Sequence, residues 1–110
     1  MAHPEFQVTT GKDEHFYFNL TAKNGQVIFS SQGYKSKDGC KNGIASVKKN
    51  GTNKKHFDRL DAKDGKFYFV LKAANKKVIG KSQMYTSKDS MENGIDSIKT
   101  NVKIAKVEYL

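Results

Sequence analysis

The chain matches itself when it is shifted by 51 residues, and this internal repeat restricts what it can fold into. The matching blocks are 16–20 on 67–71, 27–28 on 78–79, 31–38 on 82–89 and 42–48 on 93–99. A repeat of this length is one supersecondary unit, too small to bury a full core alone. The sequence therefore predicts one pseudo-twofold domain over residues 1–110, with repeat one over 5–51 and repeat two over 56–109.

Period-two alternation predicts three strands at the start of each copy. Phe16, Phe18 and Leu20 alternate with outward-facing residues, as expected of a strand with one buried face. The pair Asn24-Gly25 favours a tight turn before a return strand over 26–31, and the turn is weaker in repeat two, where Asn75-Lys76 stands. Shorter alternating stretches, 5–9 and 56–60, precede the hairpins, and a last strand is predicted over 103–110.

The apolar period then changes to that of a helix. Ser36 and Ser87 are good N-caps, each with an aspartate two positions on. Cys40, Ile44 and Val47 follow at i, i+4 and i+7, and the same stripe recurs 51 residues later. Each copy therefore predicts one amphipathic helix of about thirteen residues.

Together these elements predict an α+β fold made of two tandem β3-α-β repeats. Two such units can join their sheets and enlarge the core that either could build alone. We expect one mainly antiparallel sheet of about seven or eight strands with both helices packed on one face. The order of the strands across the joined sheet is left open.

The motifs FYFxLxA, SQxYxSK and GIxS(V/I)K occur in tandem and resemble the YegP-like family of small, uncharacterised bacterial proteins. The resemblance covers about residues 5–109. It implies that the last strand of each unit is exchanged into the other half, and that a chain with two units is a self-sufficient monomer. It brings no reaction, ligand, cofactor or catalytic residue.

Charge is the feature of the composition that bears most on function. The chain has 20 Lys and Arg against 11 Asp and Glu, a net charge of +9, and Arg59 is its one arginine. Lysine attracts polyanions loosely, whereas the planar fork of arginine suits specific recognition of phosphate and bases. The leading hypothesis is a non-enzymatic binding or interaction domain of unknown ligand, and the alternative is sequence-independent binding of nucleic acid or another polyanion through a lysine-rich surface.

The strand-to-helix junctions supply the first candidate binding residues. Gln32 and Gln83 precede the helix N-termini, where backbone N–H groups can hold an anion, and Lys37 and Lys88 add positive charge there. Capping and turn packing explain the same pattern without a ligand.

The face of the sheet away from the helices supplies the second candidate set. Tyr17, Tyr68 and Lys72 are expected on this face, where aromatic and basic side chains could form a binding platform. A solvated antiparallel face accounts for them equally well.

Little in the sequence points to catalysis. Asp13, Glu14 and His15 are adjacent, but neighbouring strand residues face opposite sides, and Cys40 lies on the apolar stripe of a helix. The pattern shows no nucleophile–base set or phosphate-binding glycine loop, and one cysteine with scattered histidines predicts neither a disulfide nor a metal site. We expect no enzyme and no cofactor, with a protein partner on an exposed edge strand or an apolar patch as a further hypothesis.

The sequence also carries an expectation about location. Its start lacks a basic segment followed by an apolar one, and no apolar run approaches the roughly 20 residues that span a bilayer. The sequence therefore predicts a cytoplasmic protein that acts away from membranes.

Overall fold

The computed structural model describes residues 3–109. Its elements in chain order are β1 (Glu5–Thr10), β2 (Phe16–Thr21), β3 (Val27–Ser31), α1 (Lys37–Asn50), a 3-10 turn (Lys54–His56), β4 (Phe57–Asp61), β5 (Phe67–Lys72), β6 (Val78–Ser82), α2 (Lys88–Asn101) and β7 (Lys106–Tyr109). Each strand and helix whose range was predicted is present. The last strand begins three residues later than predicted, because a turn in which Asn101 O accepts from Ala105 N follows α2. Leu110, which that prediction included, lies outside the described residues, as do Met1 and Ala2 of the predicted domain.

The strands form one seven-stranded sheet in the order β4-β5-β6-β3-β2-β1-β7. All neighbouring strands are antiparallel except β1 and β7, which are parallel. The two repeats join at β3 and β6, where Phe29 pairs with Ser82 and Ser31 with Gly80. Buried residues of both helices share one core with the inward side chains of the strands, which confirms the predicted α+β fold.

The exchange of a C-terminal strand is visible once among the described residues. β7 comes from repeat two but pairs with β1 of repeat one, with Val107 opposite Phe6 and Tyr109 opposite Val8. The resemblance implied a second exchange, from repeat one, and the structure differs there. The corresponding residues, 55–58, form the end of the 3-10 turn and the start of β4, so the same residues cannot also serve as a separate last strand of repeat one.

Both helices begin as predicted. The Ser36 side chain accepts a hydrogen bond from Gly39 N at 3.0 Å, and the Ser87 side chain accepts one from Ser90 N at the same distance. Each cap satisfies one of the N–H groups that a helix start leaves without an internal partner. The helices then pack closely on the sheet, since a Cβ at Gly43 would lie 2.5 Å from Cζ of the Tyr34 ring.

The turns of the two repeats place unlike residues in the same left-handed conformation. Gly25 has a φ of 81°, and Lys76, its counterpart in repeat two, has a φ of 69°. Glu14 has a φ of 65°, and its counterpart is Gly65 with a φ of 73°. The weaker Asn75-Lys76 pair therefore still forms the turn, although a side chain in this conformation costs about 1 kcal/mol or more.

The core repeats one aromatic arrangement on each side of the joint. Phe18 stacks on Tyr34 with ring centroids 6.1 Å apart, and Phe69 stacks on Tyr85 at the same separation. Phe6 and Phe57 complete the two sets by edge-to-face contacts with Phe18 and Phe69, respectively. Within residues 3–109, neither helix has the length and apolar character needed to cross a membrane.

Candidate functional site

The face of the sheet that the helices leave open carries charges of both signs. One row of paired residues crosses all seven strands and consists of Glu108, Gln7, Asn19, Ser30, Lys81, Val70 and Asp58. The candidate residue Lys72 lies beside this row, and its ammonium forms an ion pair with Asp58. The open face is therefore a mixed polar surface in which this lysine already has an acidic partner.

The two tyrosines of the predicted platform lie in different surroundings. The Tyr17 hydroxyl donates a 2.7 Å hydrogen bond to Asp13 Oδ2, and its ring lies so close to Gly11 and Gly33 that a Cβ at these positions would come within 2.7 and 3.1 Å of ring atoms. Tyr68 pairs with Leu60 on β4 instead. Two strands separate β2 from β5, and the two tyrosines lie on opposite sides of the row that joins Asn19 to Val70, which puts them roughly 20 Å apart.

The hydrogen bond to Tyr17 changes the acidity of Asp13. Donation from the Tyr17 hydroxyl, followed by donation from His15 N at 3.0 Å, holds the pKa of Asp13 below its ordinary value of 3.8. Both bonds favour the carboxylate over the acid. Because the folded-state pKa is the lower one, this pair contributes stability above the unfolded pKa and loses it as the pH falls through the folded pKa.

Replacing Tyr17 by phenylalanine is expected to raise the pKa of Asp13 towards 3.8, because the first of the two donors is removed. A carbon-detected NMR titration of the Asp13 carboxyl between pH 2 and 6 measures the change. Tyr68→Phe is the matched control and should leave this titration unaltered. An unchanged Asp13 titration in Tyr17→Phe would show that the bond does not persist in solution.

Many polar groups at the strand-to-helix junctions are hydrogen-bonded to other groups of the protein. Ser31 Oγ accepts from Phe18 N at 2.9 Å and donates to Gln32 O at 2.8 Å, and Ser82 makes the same two bonds with Phe69 and Gln83. The side chains of Gln32 and Gln83 are exposed. The anion-binding role that the sequence suggested for these glutamines remains a prediction.

The two junction lysines lie beside different aromatic rings. The Lys88 ammonium nitrogen is 5.9 Å from the centroid of Phe67 in its own repeat. That of Lys37 is 5.6 Å from the centroid of Tyr109, on the exchanged strand. Because β7 is exchanged, the aromatic neighbour of Lys37 comes from the other repeat, whereas that of Lys88 comes from its own.

A basic surface with an exposed aromatic ring runs along α1 and β7. We call it the α1–β7 surface, and its members are Lys37, Lys41, Lys48, Val107 and Tyr109. Lys41 Nζ lies 5.8 Å from the Tyr109 centroid, and Lys48 Nζ lies 5.8 Å from the Phe6 centroid. These separations suit cation–π contacts, which hold the ammonium groups close to the sheet edge. Tyr109 keeps 45% of its residue surface exposed.

The helices differ in charge although they descend from one repeat. Helix α1 carries four lysines and one aspartate, a net charge of +3, whereas α2 carries two lysines and three carboxylates, a net charge of −1. The difference lies partly at two outward positions, where Lys41 is replaced by Glu92 and Ala45 by Asp96. Glu92 pairs with Arg59, and Asp96 pairs with Lys54 at 3.2 Å. Of the two helices, α1 is therefore the one with a net positive charge.

The titratable groups in or beside the core are the thiol of Cys40 and the hydroxyls of Tyr34 and Tyr85. Burial raises the pKa of the Cys40 thiol, which disfavours the nucleophilic thiolate. Burial likewise raises the pKa of Tyr34 and of Tyr85, whose rings stack on core phenylalanines. Across residues 3–109, no three histidine, cysteine or acidic side chains are grouped closely enough to hold a metal ion.

Of the residues of the α1–β7 surface, only Lys37 was a candidate from the sequence. The signal for Lys41 was present, since aligning the two copies sets it against Glu92. No such signal existed for Tyr109, because its position beside α1 depends on the parallel pairing of β7 with β1.

Comparisons with known proteins agree with this architecture. Residues 12–58 and 62–108 each match the model of a domain of unknown function, DUF1508. A UPF0339 protein of Acinetobacter baylyi is 46% identical over 105 residues, covering 96% of this chain and 95% of the relative. The UPF0339 protein YegP of Escherichia coli K12 is 45% identical over 96 residues, 87% of each chain.

Two solution structures share the fold. The structure of YegP from E. coli, a protein of unknown function, has a TM-score of 0.92 at 40% identity and matches 99% of this chain and 94% of its own. That of a UPF0339 protein from Shewanella oneidensis has a TM-score of 0.91 at 39% identity and matches 97% and 91%. The resemblance to YegP-like proteins is thereby confirmed.

Proposed function

This chain belongs to the DUF1508 family, in which no function is established, and we propose that it is a non-enzymatic domain that binds nucleic acid on the α1–β7 surface without reading its sequence. In this proposal the protein acts as a monomer in the cytoplasm. Its ligand is an anionic polymer, held by charge and by stacking.

The net charge of +3 on α1, against −1 on α2, is the observation that carries the proposal. Lys37, Lys41 and Lys48 lie on one side of the helix at i, i+4 and i+11, so their ammonium groups follow the helix axis over about three turns. A polymer with regularly spaced phosphates can meet such a row over its length. Each phosphate that a lysine neutralises releases condensed counterions, which drives association at low salt.

The exposed Tyr109 ring favours a single-stranded ligand. Every base has a face that can stack on an aromatic ring, and such stacking contributes about 1–3 kcal/mol per base. Two ammonium groups, those of Lys37 and Lys41, lie within 6 Å of the ring and could meet the phosphates on either side of a stacked base. Lysine lacks the bidentate fork that reads guanine, so this surface supports binding without sequence preference.

The perturbed side chains support a role without catalysis. Each of the two carboxylates with a lowered pKa has a first cause in a local hydrogen bond, Asp13 with Tyr17 and Glu92 with Arg59. Asp13 is exposed, and Glu92 is only partly buried, paired with Arg59. Catalytic groups instead gather around a pocket with their pKa values shifted for the reaction.

Removing the three lysines of the α1–β7 surface is expected to weaken binding at least tenfold. The measurement is fluorescence anisotropy of a labelled single-stranded oligonucleotide at 50 and 200 mM salt. With three phosphate contacts, the affinity of the unmodified protein should fall roughly twentyfold over this range. In the variant Lys37→Gln/Lys41→Gln/Lys48→Gln, the salt slope should shrink by about 2 units.

The matched control removes the same charge elsewhere. Lys63→Gln/Lys66→Gln/Lys77→Gln changes three exposed lysines in the turns of repeat two, so both variants have a net charge of +6. The control should lose no more than a few-fold in affinity. Equal losses in the two variants, or no binding by the unmodified protein at 50 mM salt, would contradict the proposal. A parallel titration with heparin distinguishes nucleic acid from polyanions in general, because heparin offers no bases to Tyr109.

A further inference from the structure

We propose that the outer edge of β4, beside α2, is a docking site for an extended segment of a partner protein that adds to the sheet as an eighth, parallel strand. The segment carries an apolar residue opposite Phe57 and an aromatic residue opposite Arg59. The site lies at the opposite end of the sheet from the α1–β7 surface, so the inference is independent of the proposed function.

The chain itself fills the equivalent site at the other end of the sheet. β7 lies parallel to β1 with Val107 opposite Phe6 and Tyr109 opposite Val8, and it begins with a hydrogen bond from Lys106 N to Pro4 O of 3.1 Å. A shift of 51 residues converts β1 into β4 and α1 into α2. Among residues 3–109, no strand takes the place beside β4 that β7 takes beside β1.

The backbone of β4 offers hydrogen-bonding groups to such a strand. Phe69 N donates to Ser82 Oγ and Phe67 N to Tyr85 O, so these two residues direct their backbone groups away from β4. Arg59 and Asp61 pair with Phe69 and Phe67 across the ladder. Their N–H and C=O groups therefore point outward from the sheet edge, as expected for the alternation in an antiparallel pair.

A hollow between β4 and α2 marks where the side chains of the added strand would pack. Its walls include Arg59, Leu60, Phe67, Lys88, Met91 and Glu92. A hollow at the other end of the sheet is lined by Lys41, Ile44, Ala45 and Lys48 of α1 and by Val107 and Tyr109 of β7. The two hollows share one equivalent position, Lys41 in α1 and Glu92 in α2, and at the other end of the sheet the last strand of the chain supplies one wall.

Arg59 determines the chemistry of the open site. It stands where Val8 stands in repeat one, and its guanidinium is held flat by two hydrogen bonds to Glu92. An aromatic ring in the place of Tyr109 would lie over this planar cation, with Lys88 in the place of Lys37. Stacking on an already neutralised guanidinium favours an aromatic residue over a second carboxylate, which Glu92 would repel.

The same arginine protects the edge when no partner is bound. Arg59 Nη1 donates to Phe57 O at 3.2 Å, and Phe57 N donates to Lys54 O. An inward-facing charge on a short edge strand is a common device against uncontrolled strand pairing. An incoming strand replaces the exposed bond to Phe57 O with backbone bonds, so the contact is specific, weak and reversible.

A second copy of the chain is a poorer occupant. Its matching segment is β7, which already pairs with β1 of its own chain and packs Val107 against the core. Freeing it would expose that edge and remove the contacts of Tyr109. A segment from another protein carries no such cost.

The test is a titration of the isotope-labelled protein with a peptide of the sequence of residues 102–110, followed by amide NMR shifts. The peptide reproduces the apolar and aromatic spacing of Val107 and Tyr109. Saturable shifts confined to residues 57–61 and the facing side of α2 are expected, at peptide concentrations of tens to hundreds of micromolar. Shifts centred on β1, which would mean displacement of β7, or no saturable shift at millimolar peptide, would overturn the proposal.

Two variants at one position separate edge pairing from charge. Arg59→Pro removes the outward N–H without removing a bond to β5, and it should weaken peptide binding at least tenfold. Arg59→Ala keeps that N–H, and its affinity should stay within about fivefold of the unmodified protein. Circular dichroism establishes whether each variant is folded. If Arg59→Pro is not folded, the unmodified protein is titrated instead with a peptide that carries Tyr109→Ala. This peptide should bind at least fivefold more weakly than the unmodified peptide. Equal affinity of Arg59→Pro and Arg59→Ala for the peptide would contradict a partner strand on β4. Self-association of the protein through the same amides would contradict it as well.

Discussion

Replacing Phe69 by alanine is expected to lower the free energy of unfolding by about 3–5 kcal/mol. The Phe69 side chain is fully buried, contacts Phe57 edge-to-face at 5.4 Å and stacks on Tyr85 at 6.1 Å. Its removal leaves a cavity among groups from β4, β5 and the segment before α2. Because single domains have a net stability of about 5–15 kcal/mol, the loss would leave the variant close to unfolding.

Urea denaturation followed by circular dichroism measures this loss. Leu60→Ala is the control in the neighbouring strand, since Leu60 is 38% exposed, and it should cost less than about 1 kcal/mol. A cost for Phe69→Ala as small as that of the control would show that the second aromatic set is not part of a packed core.

Replacing Gly80 by alanine is expected to lower the free energy of unfolding by about 3 kcal/mol, through the joint between the repeats. A Cβ at Gly80 would lie 2.7 Å from Cζ of Phe29 and would collide with the backbone oxygen of Ser30. Phe29 is the counterpart of Gly80 in repeat one, so a large and a small residue at equivalent positions pack against each other at the pseudo-twofold joint. The clash with the backbone means that the two strands must separate to accept the methyl group.

The same denaturation experiment tests this prediction. Lys81→Ala changes the next residue, whose exposed side chain lies on the open face, and it should cost less than about 0.5 kcal/mol. Trimming Phe29 as well should not restore stability to Gly80→Ala, because the carbonyl of Ser30 remains in the way. Full stability of Gly80→Ala would contradict the pairing of β3 with β6.

The elements of the fold could be predicted from the sequence because their causes are local. Strand alternation around Phe18, the cap at Ser36 and the stripe from Cys40 to Val47 depend on residues within one turn or one pleat of each other. The order of the strands could not be predicted in this way. The β3–β6 joint pairs residues about fifty positions apart, and nothing local to Ser31 identifies Gly80 as its partner.

The candidate sites likewise have a part that local sequence predicts and a part that depends on distant residues. Gln32 and Lys37 were placed correctly at the junction by the capping signal, but the contact of Lys37 with Tyr109 depends on a strand that arrives from the other repeat. Tyr17 and Tyr68 occupy equivalent positions in sequence and differ in structure, because Asp13 bonds to the first. Residues at equivalent positions can therefore lie in different surroundings, so comparing the two copies identifies the fold better than the site.

The most direct test of nucleic-acid binding at the α1–β7 surface is an amide NMR titration of the unmodified protein with a short single-stranded oligonucleotide at 50 mM salt. Binding at the α1–β7 surface should give shifts concentrated on residues 37–49 of α1 and 106–109 of β7, reversed as the salt is raised to 200 mM. Shifts centred on Tyr17, Tyr68 and Lys72, or on the turns of repeat two, or no shifts at all, would contradict binding at the α1–β7 surface.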